Sequence, residues 1–537
     1  MSQLPPSPDF AYERKRAKAL LRDVRARDPE AIARVAAHLP RLAGNTDALK
    51  LADAQFIVAR ERGFESWPKL KAHIEATRSA EERASQFLDA VEHGAKSAVS
   101  RLLKQHSELP HASIFTAAAA GDAGEVARRI AADPSCVHAT RGRQAWTPLA
   151  YACATPVHAG SARQAAAVLR AATLLLDAGA SPSAGSLYFE SDDKPVPIPA
   201  MYHAVMSDNL PLVNLLLDRG APTQDGESIY HAAQHDRRAC LEALVAHGAD
   251  LSSTQSPYGN TPLYFLVGHA DDHGGHAPWF TGLGWLLEHG ADPNVPSYAK
   301  QETPLQAVAG GGPKVATARA LLEHGADPNL RRGDGRTAYE LAVRSGNRAV
   351  AQLLLERGAD PGSLGPEDEL LQACFAGNTA GARAVLGAHP ELAQAIATHG
   401  GAALTHAVVQ SNADAIRAML ELGWALDAQA PDGGTALHWA AWHGKPDLVR
   451  LLLSLGAPVN VRDTQFGSSP LGWALHGSGQ HRGHDDTYIA IVDALLAAGA
   501  ERLPSVNRWG EPPEGMGSPA VAKHLIASGA TGAAPPA

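Results

Sequence analysis

Apolar residues fall at helical spacing along most of this chain, in short segments that come two at a time. The segment Ala436-Leu437-His438-Trp439-Ala440-Ala441 is followed by Leu448-Val449-Arg450-Leu451-Leu452-Leu453, and the pair closes on Gly456-Ala457. Similar leucine-rich segments ending in Gly-Ala recur at Gly179, Gly220, Gly248, Gly290, Gly325, Gly358, Gly499 and Gly529, with Gly423-Trp424 as a variant. The spacing is 33 residues from Gly325 to Gly358 and again from Gly423 to Gly456, and it stretches to between 41 and 43 in three places. A period of this size predicts an array of two-helix units, each burying its apolar face on its neighbours. Length alone would suggest several domains, but an array grows by stacking, so 537 residues can form one body.

Thr-Pro-Leu opens a unit at Thr147, Thr261 and Thr303, and softened forms stand at Ser469-Pro470-Leu471, Thr337-Ala338-Tyr339 and Thr435-Ala436-Leu437. Threonine caps the first helix, proline presets its φ and leucine turns inward. Asp334-Gly335 and Asp432-Gly433 supply tight hairpin turns between units. With the opening Gly434-Thr435-Ala436-Leu437-His438-Trp439-Ala440-Ala441, these features resemble the ankyrin repeat. The resemblance implies an all-α solenoid of helix-turn-helix units with β-hairpin fingers, arranged in one curved array. It also implies a non-enzymatic binding scaffold that recognises a protein partner through the concave groove and fingers. About twelve units are expected over 81–534; those near Phe87–Leu109, Phe115–Val137 and Leu370–Ile396 are degenerate but keep helical spacing.

Residues 1–80 carry no repeat but read as a helical module. Asp28-Pro29-Glu30 combines an N-cap residue, a proline and an acid in the first turn, 47–60 is a candidate helix, and Ser66 is placed to cap a helix with Pro68 at its second position. The segment resembles a short helical module that precedes ankyrin repeats in many bacterial proteins, a likeness that implies no activity. Phe64, Trp67, Leu70 and Ile74 are expected to pack it and to cover the end of the array.

Charge and cysteine usage narrow the partners. The net charge of -9, from 47 basic and 56 acidic residues without a Lys/Arg-rich run, speaks against nucleic acid. Cys136, Cys153, Cys240 and Cys374 are scattered and form no CxxC pair, as in a reducing compartment. No apolar run approaches membrane-spanning length and Met1-Ser2-Gln3-Leu4-Pro5-Pro6 lacks signal-peptide character, so a soluble, cytoplasmic protein is expected. Phosphate loops, dinucleotide fingerprints, nucleophile elbows, HExxH and kinase motifs are all missing.

Candidate chemistry lies where the repeat is interrupted. Extra residues are expected near 155–165, 181–199, 268–279 and 476–488, and insertions in repeat arrays gather on one face that often binds. The third holds His269, Asp271, His273 and His276, which could ligate zinc or a harder divalent ion, or simply form a polar loop. No cofactor other than such a metal is implied. The fourth holds His476, His481, His484 and Asp485, and lies beside Trp442, His443 and Trp473, so that aromatic walls and convergent polar groups make a candidate interface or ligand pocket. His438 is read as the repeat's own cap-bonding histidine. The same group carries the alternative of a small-molecule-binding protein or a hydrolase-like enzyme using histidine and aspartate as base and acid. In the lengthened finger, Pro195, Pro197 and Pro199 favour an extended strand, and Tyr188 and Phe189 either reach over the groove or pin the loop.

Overall fold

The computed structural model describes all residues except 1–9, 43–44, 190–194, 270–277, 299, 313, 363, 432, 482–483, 502–516 and 530–537. The chain divides into two compact units, Met1–Ala232 with Ala239–Ala249 and Ala233–Arg238 with Asp250–Ala537.

The first unit opens with helices Phe10–Arg25, Pro29–His38 and Leu51–Glu61 around Ala17, Leu20, Val24, Val35 and Ile57. Asp28 caps the second, its carboxylate accepting from Ala31 N–H at 2.8 Å. The third starts four residues later than 47, because Asp53 accepts from the Lys50 N–H and fixes the first turn there. Glu13, almost fully buried, sits between Arg62 at 2.7 Å and Arg16 at 3.0 Å, while Glu61 holds Arg34. Ser66 then caps helix Trp67–Glu92, which runs unbroken for 26 residues, so the boundary expected near 80 lies inside a helix. Leu70 and Ile74 on its first half pack with Ala59, Phe64 and Phe10. On its second half Phe87, Leu88 and Val91 are buried where the helix meets Lys96–Gln105 and Ile114–Ala120. One helix therefore belongs to the module and to the first repeat unit.

In both units helix pairs stack as two layers. First helices Ile114–Ala120, Pro148–Ala154 and Ala200–Met206 pack in succession in one unit, and in the other Ala338–Arg344, Pro366–Phe375, Leu392–Val409, Ala436–Trp442 and Pro470–Gln480 follow one another along the chain. Second helices such as Arg348–Glu356, Thr379–Ala388, Ala413–Glu421, Pro446–Ser454 and Asp485–Ala497 form the other layer. Thr147, Thr303 and Thr337 cap first helices through Oγ1, at 3.1 to 3.4 Å from the third residue on. Most pairs end at a glycine in the left-handed region, as at Gly358 (φ 87°), whose next residue Ala359 donates back to Leu354 O at 2.9 Å. Only glycine turns the chain there without a Cβ penalty.

Side chains stitch neighbouring pairs from both directions. Four residues past the closing glycine, Asn294, Asn329 and Asn460 each reach forward: Asn329 Nδ2 donates to Gly358 O at 3.1 Å and its Oδ1 accepts from Asp360 N–H at 2.8 Å. Residues just before second helices reach backward to the open carbonyls of the preceding first helix. Asn412 Nδ2 donates to Phe375 O at 2.8 Å, and Lys445 Nζ to Val409 O at 2.7 Å. Burial pushes the Lys445 ammonium down to about 8.

The insertions are more regular than expected. In the lengthened finger, Ser186–Phe189 pairs antiparallel with Pro195–Ile198, Tyr188 opposite Val196 and Phe189 opposite Pro195. At Gly335 and Gly433 the turns are each closed by two backbone bonds, Arg332 N to Arg336 O and Gly335 N to Arg332 O, both at 2.8 Å, and Ala430 N to Gly434 O at 2.9 Å with Gly433 N to Ala430 O at 2.8 Å. Residues 155–165 form the short turn Pro156–Gly160 and the start of helix Ala162–Asp177. In 476–488, expected as extra residues interrupting the repeat, the described residues mostly prolong the two helices of their unit, to Gln480 and back to Asp485. Gly477 is what permits this: a Cβ there would lie 2.5 Å from Trp442 O, so only glycine lets the two helices close up.

Candidate functional site

The aromatic residues of the last full units converge, though not as a pocket wall. Trp473, on helix Pro470–Gln480, is 8% exposed and donates its indole N–H to Asp463 Oδ2 at 2.9 Å. Asp463 also accepts from the backbone N–H groups of Phe466 and Ser468, so one buried carboxylate fixes the finger loop and the tryptophan together. Trp439, Trp442, His438 and Phe466 surround the Trp473 ring with centroids 5.3 to 6.2 Å away. Outward from this cluster, His476 is exposed and stacks on Trp442 at 5.1 Å and 19°, and His443 stacks on Trp439 at 5.3 Å.

His481 turns inward. Tyr488 donates its hydroxyl to Trp442 O at 2.6 Å and lies 2.8 Å from His481 Nδ1, which is 3.0 Å from Gly477 O. With the tyrosine proton committed to the carbonyl, Nδ1 must carry the imidazole proton to satisfy both oxygens. His484 is exposed in the N-cap position of Asp485–Ala497 and gives no side-chain cap. Asp485 accepts from Ser518 Oγ at 2.6 Å. The structure thus joins Trp442, Trp473, His476 and His481 in one cluster, and leaves Asp485 bound to the C-terminal helix.

His438 is held as the repeat requires. Nδ1 lies 3.1 Å from Thr435 N and 2.8 Å from its hydroxyl, and Nε2 lies 3.1 Å from Ser468 O. Burial lowers its imidazole to about 4.

Elsewhere, Tyr188 is 52% exposed on the hairpin, and the Arg143 guanidinium lies 4.5 Å over the Phe189 ring. Hairpin and repeat are locked underneath by Ser186 Oγ and His203 Nε2, 2.9 Å apart and buried. Of the proposed metal ligands, Asp271, His273, His276 and the side chain of His269 lie outside the described residues. Among the described residues no group of three or more His, Cys, Asp or Glu side chains could hold a metal.

Sequence reasoning missed Trp439, Asp463 and Tyr488. Trp439 had a signal, an aromatic next to the repeat histidine; Asp463 and Tyr488 act through contacts 10 and 46 residues away, which no local pattern carries.

Residues 279–364 and 370–463 match the family model for ankyrin repeats. Ankyrin repeats are thus present over these residues. A crystal structure of the human ASB11 ankyrin repeat domain is 22% identical, covering 52% of this chain and 100% of that one, with a TM-score of 0.23. No curated protein matches the chain. No described helix is long and apolar enough to cross a membrane.

Proposed function

We propose that this chain is a non-enzymatic scaffold that recognises a protein partner through the first helices and finger loops of its repeats, in the cytoplasm. The observation that carries this reading is the set of aromatic side chains these elements expose: Tyr298 is 79% and Tyr258 51% exposed on loops joined by the Tyr298 N to Gly259 O bond of 2.7 Å. Tyrosine gives large contact area at low entropic cost and is enriched where proteins meet. His476 stacked over Trp442 offers another accessible ring at the other end of the same unit. Four free cysteines, three of them buried, fit a reducing compartment. A ligand or hydrolytic pocket at the C-terminal cluster is the weaker reading, because Trp473 and Asp485 are occupied by Asp463 and Ser518.

A photo-crosslinking residue placed at Tyr298 or His476 is expected to trap one and the same partner in cell extract, whereas one at Glu356, on a second helix, traps none. Equal trapping from Glu356 would sink the reading.

A further inference from the structure

One unit, within the second matched range, departs from the others in a way that opens a cavity. First helices of neighbouring units start after Thr303, Thr337, Thr435 and Ser469, but 33 residues before Thr435 stands Ala402, inside helix Leu392–Val409. That helix has 18 residues against 7 in Ala436–Trp442, so its first half takes the place of a finger. The forward-reaching asparagine is also missing on both flanks, where Gly362 and Asp427 hold its position. Beneath the helix extension lies a half-open cavity of about 130 Å³.

Its walls are apolar, from Leu370, Leu371, Leu392 and Ile396. Two polar groups face it from within. Trp424 replaces the alanine of the repeat's Gly-Ala closure; it is 5% exposed, and its indole N–H has no acceptor among the described residues. Gly400 makes room for it, since a Cβ there would lie 2.8 Å from the indole Cδ1. His406 also lines the cavity, its ring making no hydrogen bond to another described residue, and burial together with Arg344 lowers it to about 4, so it is neutral. At the rim Arg344 is already engaged, bidentate to Glu367 at 2.7 and 3.0 Å and to Asp368 as well.

A buried donor without an acceptor costs stability unless something supplies one. We propose that the cavity binds a small neutral ring compound bearing a hydroxyl, of the size of phenol, whose oxygen accepts from Trp424 and donates to His406. A hydroxyl satisfies a donor and a neutral imidazole at once with a single atom. Cavities of roughly this volume lined by aliphatic side chains hold a single six-membered ring. An anion is disfavoured because two carboxylates outnumber the one guanidinium at the rim.

The test titrates phenol into the full-length protein labelled with 5-fluorotryptophan, the Trp424 signal being the one lost in Trp424→Phe. A shift of that signal with a dissociation constant on the order of 1 mM is expected for a ligand of this size. Toluene should bind about five-fold more weakly, as should phenol to the Trp424→Phe protein, followed there by ligand-observed NMR of the phenol because the variant lacks the Trp424 signal; five-fold is the ratio for one neutral hydrogen bond, and benzoate should not compete. Ala402→Leu, which fills the cavity and spares the tryptophan, should abolish the shift and covers the case of an unstable Trp424→Phe. No shift up to about 10 mM phenol, equal binding of toluene, or a shift that survives Ala402→Leu overturns the proposal.

Discussion

Three histidines are held neutral by burial: His203 at about 3, His406 at about 4 and His438 at about 4. All three values are depressed below the ordinary 6.5, so as pH falls the unfolded chain takes up these protons first. Stability therefore holds above pH ~6.5 and declines from there toward pH ~4, by up to about 1.4 kcal/mol per pH unit for each group. Melting temperatures measured between pH 7 and 4.5 should fall steadily, and His203→Gln, which keeps a partner for Ser186, should flatten that fall. An unchanged slope would mean that His203 is accessible in the folded state. At this scale the sequence spoke where the repeat dictates a residue, as at His438. It was silent for Glu13, whose burial depends on Arg16 three residues on and Arg62 from another helix, and for Trp424, an oddity in the pattern whose meaning depends on Gly400.

Between elements, the stitching side chains are individually modest. Asn329 makes two bonds to the next pair, so Asn329→Ala should cost about 1–2 kcal/mol. Native-state hydrogen exchange should show the Asp360 amide losing protection in that variant while Asp327, held by Asn294 at 2.8 Å, keeps its own. Equal loss at both amides would show that the clamp is not local. Helices, caps and closing glycines were legible because they rest on neighbours within a few residues: Ser66, Asp28 and Thr337 each cap the helix that begins at the next residue. The insertions were not. His476 to Gln480 looks like a loop until Gly477 meets the carbonyl of Trp442, a contact made by tertiary packing that overrides the low helix propensity of glycine. The boundary near 80 failed for a similar reason, since continuity of Trp67–Glu92 depends on two different cores at its two ends.

For the molecule as a whole, a stacked array has exposed ends, and here the C-terminal one is covered. Helix Pro519–Gly529 buries Val521 and Leu525 in the core of the last pairs, and Ser518 bonds Asp485 and Ser478. Burial of two such side chains is worth about 3–6 kcal/mol, felt mainly by the neighbouring pair because coupling in arrays runs between adjacent units. Deleting 518–537 should lower the melting temperature and strip exchange protection from Asp485–Ala497 first, with Ala338–Glu356 little changed. Uniform loss along the unit would instead reveal a single cooperative core.

The two-way stitching also has a meaning in time. A chain leaves the ribosome N-terminus first, and its domains close as they emerge. When the pair ending at Gly358 has just folded, it presents the bare carbonyls of helix Ala338–Arg344 as unmet acceptors, and where an asparagine comes after the closing glycine, as Asn460 does, an unmet amide stands ready too. Each finished pair is thus a docking template for the one still being made, polar groups telling the next segment where to land before its leucines are covered. At Gly362 and Asp427 that amide is missing, so growth must cross the odd unit on apolar contacts and backward-reaching side chains alone. Between Asn294 and Asn460, the stretch that lacks this amide is the one where the cavity forms.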